Sequence, residues 1–184
     1  PPNSPLKFKI EILAGAAPNA QTWSFFSLDN LGVKTKKLGI TASMLEPIEE
    51  SKVGLNGNDV LIGGAQNDLL IGLRGNDRFV GNIGGDVLIG GKGKNTFAYS
   101  AIDDSPKRAG EQDQILGFGK KDKLDLSGFN QKLRFIGGDA FKGTAGDVRF
   151  NKGILEMDHD GDGSADFAVL MSGVKSFKGS NLIL

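Results

Sequence analysis

The sequence predicts an all-β chain: a parallel β-roll of nonapeptide repeats with flanking β-strand cap segments. An aspartate or asparagine recurs every nine positions through residues 54–98, and a large apolar residue follows it two positions later. Helix signals are almost absent, whereas glycine supplies 28 of 184 residues, about twice its normal share. Because this glycine is concentrated in the repeat, it indicates a specialised backbone there.

Residues 1–52 form the first predicted region, a β-rich segment of unknown role. Residues 6–12 alternate apolar and charged side chains, which predicts a half-buried strand. Residues 22–28 and 36–43 are further strand candidates, and residues 42–52 suggest a helical turn interrupted by Pro47. The chain starts with neither Met nor a signal-peptide core, so we expect an attached upstream domain.

The repeat at residues 54–98 comprises five units of the form G-G-x-G-x-D-x-U-x, where U is large and apolar. The U residues are Leu61, Leu70, Phe79, Leu88 and Phe97. Each unit predicts a six-residue turn and a three-residue strand, and two units make one coil. Strands of successive coils then pair in parallel about 4.8 Å apart. Residues 61, 79 and 97 face inward from one sheet, and 70 and 88 from the other. With one inward apolar residue per strand, the core is thin. Its burial must offset the loss of chain entropy on folding, which is roughly 1–2 kcal/mol per residue.

The turns predict what stabilises this stack. Coil stacking places Asp59 over Asp77, Asp68 over Asp86, and Asp77 over Asn95, and stacked carboxylates repel one another. A hard divalent cation bound between the turns converts this repulsion into a net attraction. Ca²⁺ accepts carboxylate and carbonyl oxygens at flexible geometry, whereas Mg²⁺ keeps its waters and demands a tight octahedron. The repeat therefore predicts several Ca²⁺ ions; the alternative is a metal-free glycine-rich solenoid.

These units closely resemble the RTX (repeat-in-toxin) nonapeptide, at five consecutive in-phase copies. In that family each Ca²⁺ takes ligands from two turns 18 residues apart, so the resemblance implies three ligand sets. The first is Leu55, Gly57, Asp59, Gly72, Arg74 and Asp77. The second is Gly64, Gln66, Asp68, Gly81, Ile83 and Asp86. The third is Leu73, Gly75, Asp77, Gly90, Lys92 and Asn95.

The repeat departs from the family pattern at several turn positions. Leu55, Leu73 and Asn82 replace the second glycine and Gln66 replaces the third, which predicts backbone strain. Asn95 lacks a charge, so the third ion should bind more weakly.

The predicted β-roll region spans residues 53–128, and a predicted C-terminal β cap spans residues 129–184. Strand candidates lie within residues 96–100, 113–118, 123–129, 132–137, 147–150, 153–158, 166–173 and 181–184. From residue 96 onward the chain resembles the end of serralysin-type secreted metalloproteases, which implies a further Ca²⁺ at Asp113 and Asp122. Gly117 replaces an aspartate of that pattern. Residues 177–184, "FKGSNLIL", resemble a type I secretion signal.

The stretch "DHDGDGSAD", residues 158–166, has two interpretations. Asp158, Asp160 and Asp162 match the start of an EF-hand loop, but Val169 stands where a glutamate is required. A glycine-rich hairpin turn with solvated carboxylates is the favoured interpretation. His159, the single histidine, is expected in an exposed loop, and H-E-x-x-H and G-x-S-x-G are absent.

The sequence thus predicts a non-catalytic calcium module of an extracellular bacterial protein, exported by type I secretion machinery and folded by Ca²⁺. The alternative is a glycan-contacting module of a polysaccharide-modifying enzyme, using Arg74, Arg78, Lys92 and Lys94. Charges balance at 22 basic and 22 acidic residues, so nucleic acid is not expected as a partner. No apolar run reaches the length of a membrane span, and cysteine is absent.

Overall fold

The structure, a computed structural model, describes residue 48 and residues 50–184, which contain two sheets. The strands are β1 Glu50–Val53, β2 Val60–Ile62, β3 Asp68–Ile71, β4 Arg78–Val80, β5 Val87–Ile89, β6 Thr96–Ala98, β7 Gln114–Leu116, β8 Lys123–Asp125, β9 Arg134–Phe135, β10 Asp147–Asn151, β11 Ile154–Asp158, β12 Phe167–Ser172 and β13 Leu182–Ile183. Helical structure in these residues is limited to two 3-10 turns, Ile102–Asp104 and Gly179–Asn181. The all-β prediction is therefore confirmed.

The repeat folds as a parallel roll whose strands alternate between the two sheets. One sheet has the order β1-β3-β5-β7-β12-β11-β10-β9, and the other has the order β13-β8-β6-β4-β2. Leu61 pairs with Phe79 and Phe79 with Phe97 in one sheet, while Leu70 pairs with Leu88 in the other. All five U side chains are buried, so the predicted coil length and inward face are confirmed.

The core is thicker than the repeat alone suggests. The strand β5 is buried along its whole length, including Val87 and Ile89 beside Leu88. Phe79 and Phe97 stack with ring centroids 4.9 Å apart, and the aromatic contacts continue from Phe97 through Phe118 to Phe177. The expectation of one buried apolar residue per strand is therefore wrong for β5. It is also wrong for β3, which buries Leu69 and Leu70, and for β6, which buries Phe97 and Ala98.

The C-terminal strands continue the roll. The strand β12 pairs in parallel with β7, and β10, β11 and β12 then form an antiparallel meander. Glu156 on β11 binds Arg149 at 2.8 Å and also binds Lys107. Burial opposes ionisation, but hydrogen bonds from Lys107 and Arg149 hold the pKa of Glu156 below its usual range. One sheet therefore spans residues assigned by sequence to both roll and cap.

The N-terminal end of the roll begins earlier than the first nonapeptide. The strand β1 pairs in parallel with β3, with Glu50 opposite Asp68. Residues 50–53 are thus extended, and the helical turn suggested for residues 42–52 is wrong for them. The strands predicted at 6–12, 22–28 and 36–43 lie outside the described residues.

The C-terminal tail docks onto the end of the five-stranded sheet. The strand β13 pairs in parallel with β8, with Leu182 opposite Leu124, and Leu182 is buried. Asn181 donates from Nδ2 to the carbonyls of Lys120 and Asp122, at 3.3 and 3.2 Å. The tail therefore contacts the turn that ends the roll. The described part of the chain contains no helix with the length and hydropathy of a membrane span.

Candidate metal centre

The turns of the roll form two columns, one at each edge. Column A contains turns 54–59, 72–77, 90–95 and 117–122, which lead from the eight-stranded to the five-stranded sheet. Column B contains turns 63–67, 81–86 and 99–113, which lead back. Because the strands between them stack in register, equivalent residues of successive turns lie above one another.

The aspartates form a ladder within each column. The Oδ1 atom of Asp77 accepts the N–H of Asp59 at 3.0 Å, and Asp86 accepts that of Asp68 at 2.8 Å. Asn95 accepts the N–H of Asp77 at 3.1 Å. The predicted stacking of these residues is confirmed. The rungs at Asp77 and Asp86 leave the second carboxylate oxygen available for another partner, whereas the rung at Asn95 leaves its amide nitrogen.

The ladders extend beyond the nonapeptides. Asp113 accepts the N–H of Asp86, and Asp122 accepts that of Asn95, both at 2.8 Å. These steps span 27 residues instead of 18, because the connecting turn 99–113 is longer than a repeat turn. Asp113 and Asp122 therefore occupy the places that a further repeat would give to its aspartates.

A second ladder uses the asparagine before each aspartate, a position that sequence reasoning treated as free. The Oδ1 atom of Asn58 accepts the N–H of Asn76 at 2.7 Å, and Asn76 accepts that of Lys94 at 2.9 Å. In column B, Asn67 accepts the N–H of Gly85 at 2.8 Å. The recurrence of asparagine at 58, 67 and 76 was the signal in the sequence.

Buried polar atoms without partners lie in the middle of both columns. Within the described chain, the side-chain atoms Asp77 Oδ2, Asp86 Oδ2 and Asn95 Nδ2 are buried and have no hydrogen-bond partner. Buried polar groups are normally satisfied, and a bare carboxylate oxygen costs several kcal/mol. The two carboxylate oxygens, Asp77 Oδ2 and Asp86 Oδ2, are therefore suited to hold a cation between the turns, whereas Asn95 Nδ2 is a hydrogen-bond donor.

The first glycine of each repeat shapes the space beside these atoms. A Cβ at Gly54 would lie 2.7 Å from Asp59 Oδ2 and 3.1 Å from the carbonyl oxygen of Gly72. A Cβ at Gly72 would contact Asp77 Oδ2 and lie 2.9 Å from the carbonyl of Gly90. Each of these glycines thus opens a cradle, which we define as the space between a carboxylate and an oxygen atom of the next turn. A methyl group would fill that space.

The cradle in column B between Asp86 and Asp113 has carboxylates on both sides. A Cβ at Gly81 would contact Asp86 Oδ2 and lie 3.1 Å from Asp113 Oδ2. Tyr99 donates its hydroxyl to Asp113 Oδ2 at 2.9 Å, and its ring packs edge-on against Phe167. This cradle is consequently the most acidic of the two columns.

Burial makes these carboxylates hard to ionise. Burial raises the pKa of Asp77, and the Asp59 charge adds to the effect, although the Asp59 N–H opposes it. Burial, with the charges of Asp68 and Asp104, raises the pKa of Asp86 to about 7, although the Asp68 N–H opposes it. The pKa of Asp113 rises well above its ordinary value through burial and the Asp86 charge. Burial also raises that of Asp122. The folded stack therefore needs protons or cations.

The structure brings together only part of each predicted ligand set. In all three sets an aspartate and the first carbonyl of the next turn share a cradle: Asp59 with Gly72, Asp68 with Gly81, and Asp77 with Gly90. The third-position carbonyls of Arg74 and Lys92 accept the N–H groups of Gly57 and Gly75. The second-position carbonyl of Leu73 accepts the N–H of Lys92. The fourth-position carbonyls of Gly57, Gln66 and Gly75 lie against the glycine one coil on.

The strain predicted for the substituted glycine positions is present at two of the four. Leu73 and Asn82 have φ angles of 69° and 66°, in the left-handed region that disfavours side chains. Leu55 and Gln66 are not among the described residues with positive φ, so the prediction is wrong there. The first turn instead closes on itself, because Leu55 N–H donates to Asp59 Oδ2 at 2.8 Å.

The 158–166 loop is a hairpin turn between β11 and β12, but its carboxylates are not all solvated. Asp158 is fully buried and accepts the N–H groups of Gly161 and Gly163. Asp166 accepts the N–H of His159 at 2.7 Å, and His159 is half-buried instead of exposed. Carboxylate oxygens of Asp158, Asp160 and Asp166 lie within 4.8 Å of one another, a set that differs from the EF-hand pattern.

Comparisons with known proteins agree with this architecture. The family described as peptidase M10 serralysin C terminal matches residues 41–184. A metalloprotease, AprA of Pseudomonas entomophila (strain L48), is 50% identical over 137 residues, covering 67% of this chain. The chain spans 27% of the length of that relative.

Two solved structures are similar to this chain, and both are subunits of a mannuronan C5-epimerase from Azotobacter vinelandii. The AlgE6R2 subunit is 27% identical with a TM-score of 0.51, covering 74% of this chain and 91% of that one. The AlgE6R3 subunit is 25% identical with a TM-score of 0.46, covering 71% and 80%. The stacked aspartate turns and the family match over residues 41–184 lead to one assignment. The chain belongs to the peptidase M10 serralysin C-terminal family, with an RTX-type β-roll.

Proposed function

We propose that this chain is a calcium-binding, non-catalytic module of a secreted bacterial protein, and that Ca²⁺ completes its folding after export. The observation that carries the proposal is the pair of buried, unpartnered oxygens, Asp77 Oδ2 and Asp86 Oδ2, each in a glycine-lined cradle. A cation there would neutralise the stacked carboxylates and supply the missing partner.

The chemistry of the donors favours Ca²⁺ over other metals. The cradles offer carboxylate and carbonyl oxygens, and this chain has no cysteine and one histidine, which lies outside the columns. Hard oxygen donors suit Ca²⁺ and Mg²⁺, and Ca²⁺ accepts the larger and less regular coordination shell. Carbonyls already engaged between turns retain a second lone pair, so those of Arg74 and Lys92 could still contribute.

The number of cradles supports several ions. Column A offers cradles at Gly54 and Gly72, and column B offers cradles at Gly63 and Gly81. The three ligand sets implied by the repeat correspond to the first three in sequence, and Asp86 with Asp113 would form the fourth. The set ending in Asn95 has one charge fewer, so we expect its ion to bind more weakly.

The coupling of binding to folding follows from the electrostatics. Without a cation, folding must either protonate the buried aspartates or bring their charges together, and both cost free energy near neutral pH. With a cation, the free energy of binding adds to the free energy of folding. Extracellular modules typically bind Ca²⁺ in the 10⁻⁴–10⁻³ M range. A chain kept unfolded at low internal Ca²⁺ would therefore fold outside the cell.

The export route and the absence of catalysis are inferences from the family. The matched family is the C-terminal part of a peptidase, and residues 177–184 resemble a type I secretion signal. A protease activity, an extracellular location and the secretion machinery as partner are therefore proposed for the parent protein, with this chain acting as its folding module.

The test is a metal titration followed by circular dichroism. In EDTA we expect loss of the β signal, restored by millimolar Ca²⁺ and not by equal Mg²⁺. A chelated sample that keeps its β signal and melts cooperatively at the same temperature would overturn the proposal. Isothermal titration calorimetry would count the ions.

A further inference from the structure

Column A differs from column B in the charge of its outer surface. Five exposed cations lie on its turns: Arg74, Lys92, Lys94, Lys120 and Lys121. The two short turns of column B, residues 63–67 and 81–86, carry no lysine or arginine. In the long turn 99–113, Lys107 binds Glu156 and Arg108 binds Glu111. The basic residues at the edges of the roll are therefore concentrated on one side.

The stacking of column A places these cations in a line. Asn56, Arg74 and Lys92 are successive partners in parallel backbone bridges, so their side chains start from equivalent positions on successive coils. The next turn, 117–122, stacks on 90–95 through Asn95 and Asp122 and adds Lys120 and Lys121. Parallel strands are about 4.8 Å apart, so the cations recur at about that interval along the roll axis.

Column A presents little negative charge to solvent. Within its four fully described turns, Asp77 and Asp122 are buried and Asp59 is half-buried. Their oxygens accept backbone N–H groups of the column: Asp77 and Asp122 accept those of the preceding turn, and Asp59 and Asp122 accept those of their own turn. Exposed Asn58 and Asn76 use Oδ1 within the stack, which leaves their amide Nδ2 groups as donors. The outer surface is thus a row of cations with amide donors beside it.

We propose that column A binds a linear carboxylated polysaccharide lying along the roll axis. A polymer with one carboxylate on each sugar ring presents regularly spaced anions on a stiff chain, which matches a straight row of cations. Single-stranded nucleic acid is a weaker fit, because these described turns have no exposed aromatic side chain for base stacking. This role goes beyond calcium-dependent folding, and it requires the folded roll.

The basic residues of column A differ from the set that the sequence suggested for contact with a glycan. Arg78 lies on β4 and binds Asp125 at 3.0 Å, so it is not on column A. Lys120 and Lys121 lie 34 and 35 residues beyond Asp86, the last nonapeptide aspartate, in the turn of Asp122, and they were not predicted. Only the 27-residue ladder step brings them into the row.

The experiment measures binding of a uronic acid hexamer to the full chain at saturating Ca²⁺ by calorimetry. The variants are K92E/K94E and K120E/K121E, and the matched control is K142E/K175E, which reverses two exposed lysines outside column A. Circular dichroism first verifies that each variant is folded. If the chain folds without Ca²⁺, the proposed function fails, but the same binding test is then run in EDTA.

We expect about tenfold weaker binding for each column A variant and a change of less than about twofold for the control. Binding should weaken with added salt, and a neutral glucan hexamer should not bind. The proposal is overturned if the folded wild type does not bind the uronic acid hexamer, or if the control loses as much affinity as the column A variants. Tighter binding of a short single-stranded oligonucleotide also overturns it.

Discussion

Gly63 and Gly64 are adjacent in the first turn of column B, yet we expect alanine to be tolerated at only one of them. A Cβ at Gly63 would lie 2.6 Å from Asp68 Oδ2 and closer still to the carbonyl oxygen of Gly81. A Cβ at Gly64 would meet only Asp68 Oδ2, at 3.7 Å, which is ordinary contact. Neither glycine has a φ in the left-handed region, so backbone strain does not separate the two substitutions.

The expected destabilisation of Gly63→Ala has two parts. Forcing a methyl group into the cradle costs about 1–3 kcal/mol, as overpacking does elsewhere. Losing one ion that is present at about ten times its Kd, as millimolar Ca²⁺ would be for a Kd near 10⁻⁴ M, removes a further ~1.4 kcal/mol. The free energy of unfolding should therefore fall by about 2–4 kcal/mol. Gly64→Ala should leave it unchanged or raise it by up to about 1 kcal/mol, because alanine restricts the unfolded chain.

Urea unfolding at fixed millimolar Ca²⁺ measures both variants, and calorimetry counts their ions. We expect one ion fewer in Gly63→Ala and the wild-type number in Gly64→Ala. Equal stability and equal ion counts in the two variants would refute the cradle as the place where the ion binds.

Three further predictions concern the ladders, the cap and the tail. Asp77→Ala should raise the Ca²⁺ midpoint of folding more than Asp59→Ala, because Asp77 belongs to two of the proposed ligand sets; equal midpoints would contradict ligand sharing between turns. The pKa of Glu156 is depressed in the folded state. The ionised carboxylate therefore stabilises the fold at neutral pH, and this stabilisation is lost progressively as the pH falls below 4.5. Urea titrations should therefore show Glu156→Gln about 1–3 kcal/mol less stable at pH 7, with a gap that narrows on acidification, and a gap independent of pH would speak against the ion network. Asn181→Ala should speed amide exchange in β13, because two hydrogen bonds to the last turn of the roll are lost; unchanged exchange would show that the strand docks without them.

The periodic part of the fold was predictable because one repeat length fixes several properties together. Once Leu61 and Phe79 are placed on one face by an 18-residue coil, the parallel pairing and the stacked aspartates follow. The asparagine ladder was not predicted because the position before the aspartate is asparagine at 58, 67 and 76 but glycine at 85 and lysine at 94. A side chain that is absent from two of five units gave no clear pattern.

Beyond the repeat, the strands were predictable but their partners were not. Local alternation predicts that residues 166–173 form a strand, yet nothing local indicates that β12 pairs with β7, more than 50 residues earlier. The same limit applies to Asp113 and Asp122, whose place in the ladders depends on how turn 99–113 folds. Asp158 was expected in solvent because its neighbours are polar. It is instead buried, and its carboxylate accepts hydrogen bonds from backbone N–H groups of its own loop.

The docking of the tail has a consequence for the order of events in the export that we propose. Residues 177–184 carry the proposed secretion signal, but in the fold Phe177 packs among aromatic side chains and Leu182 is buried in β13, the edge strand of the five-stranded sheet. A transporter that must grip this segment as an extended peptide can do so only before the roll has closed. Calcium binding outside the cell would then make export irreversible, because a chain that has emerged and folded no longer presents the extended segment that the transporter binds.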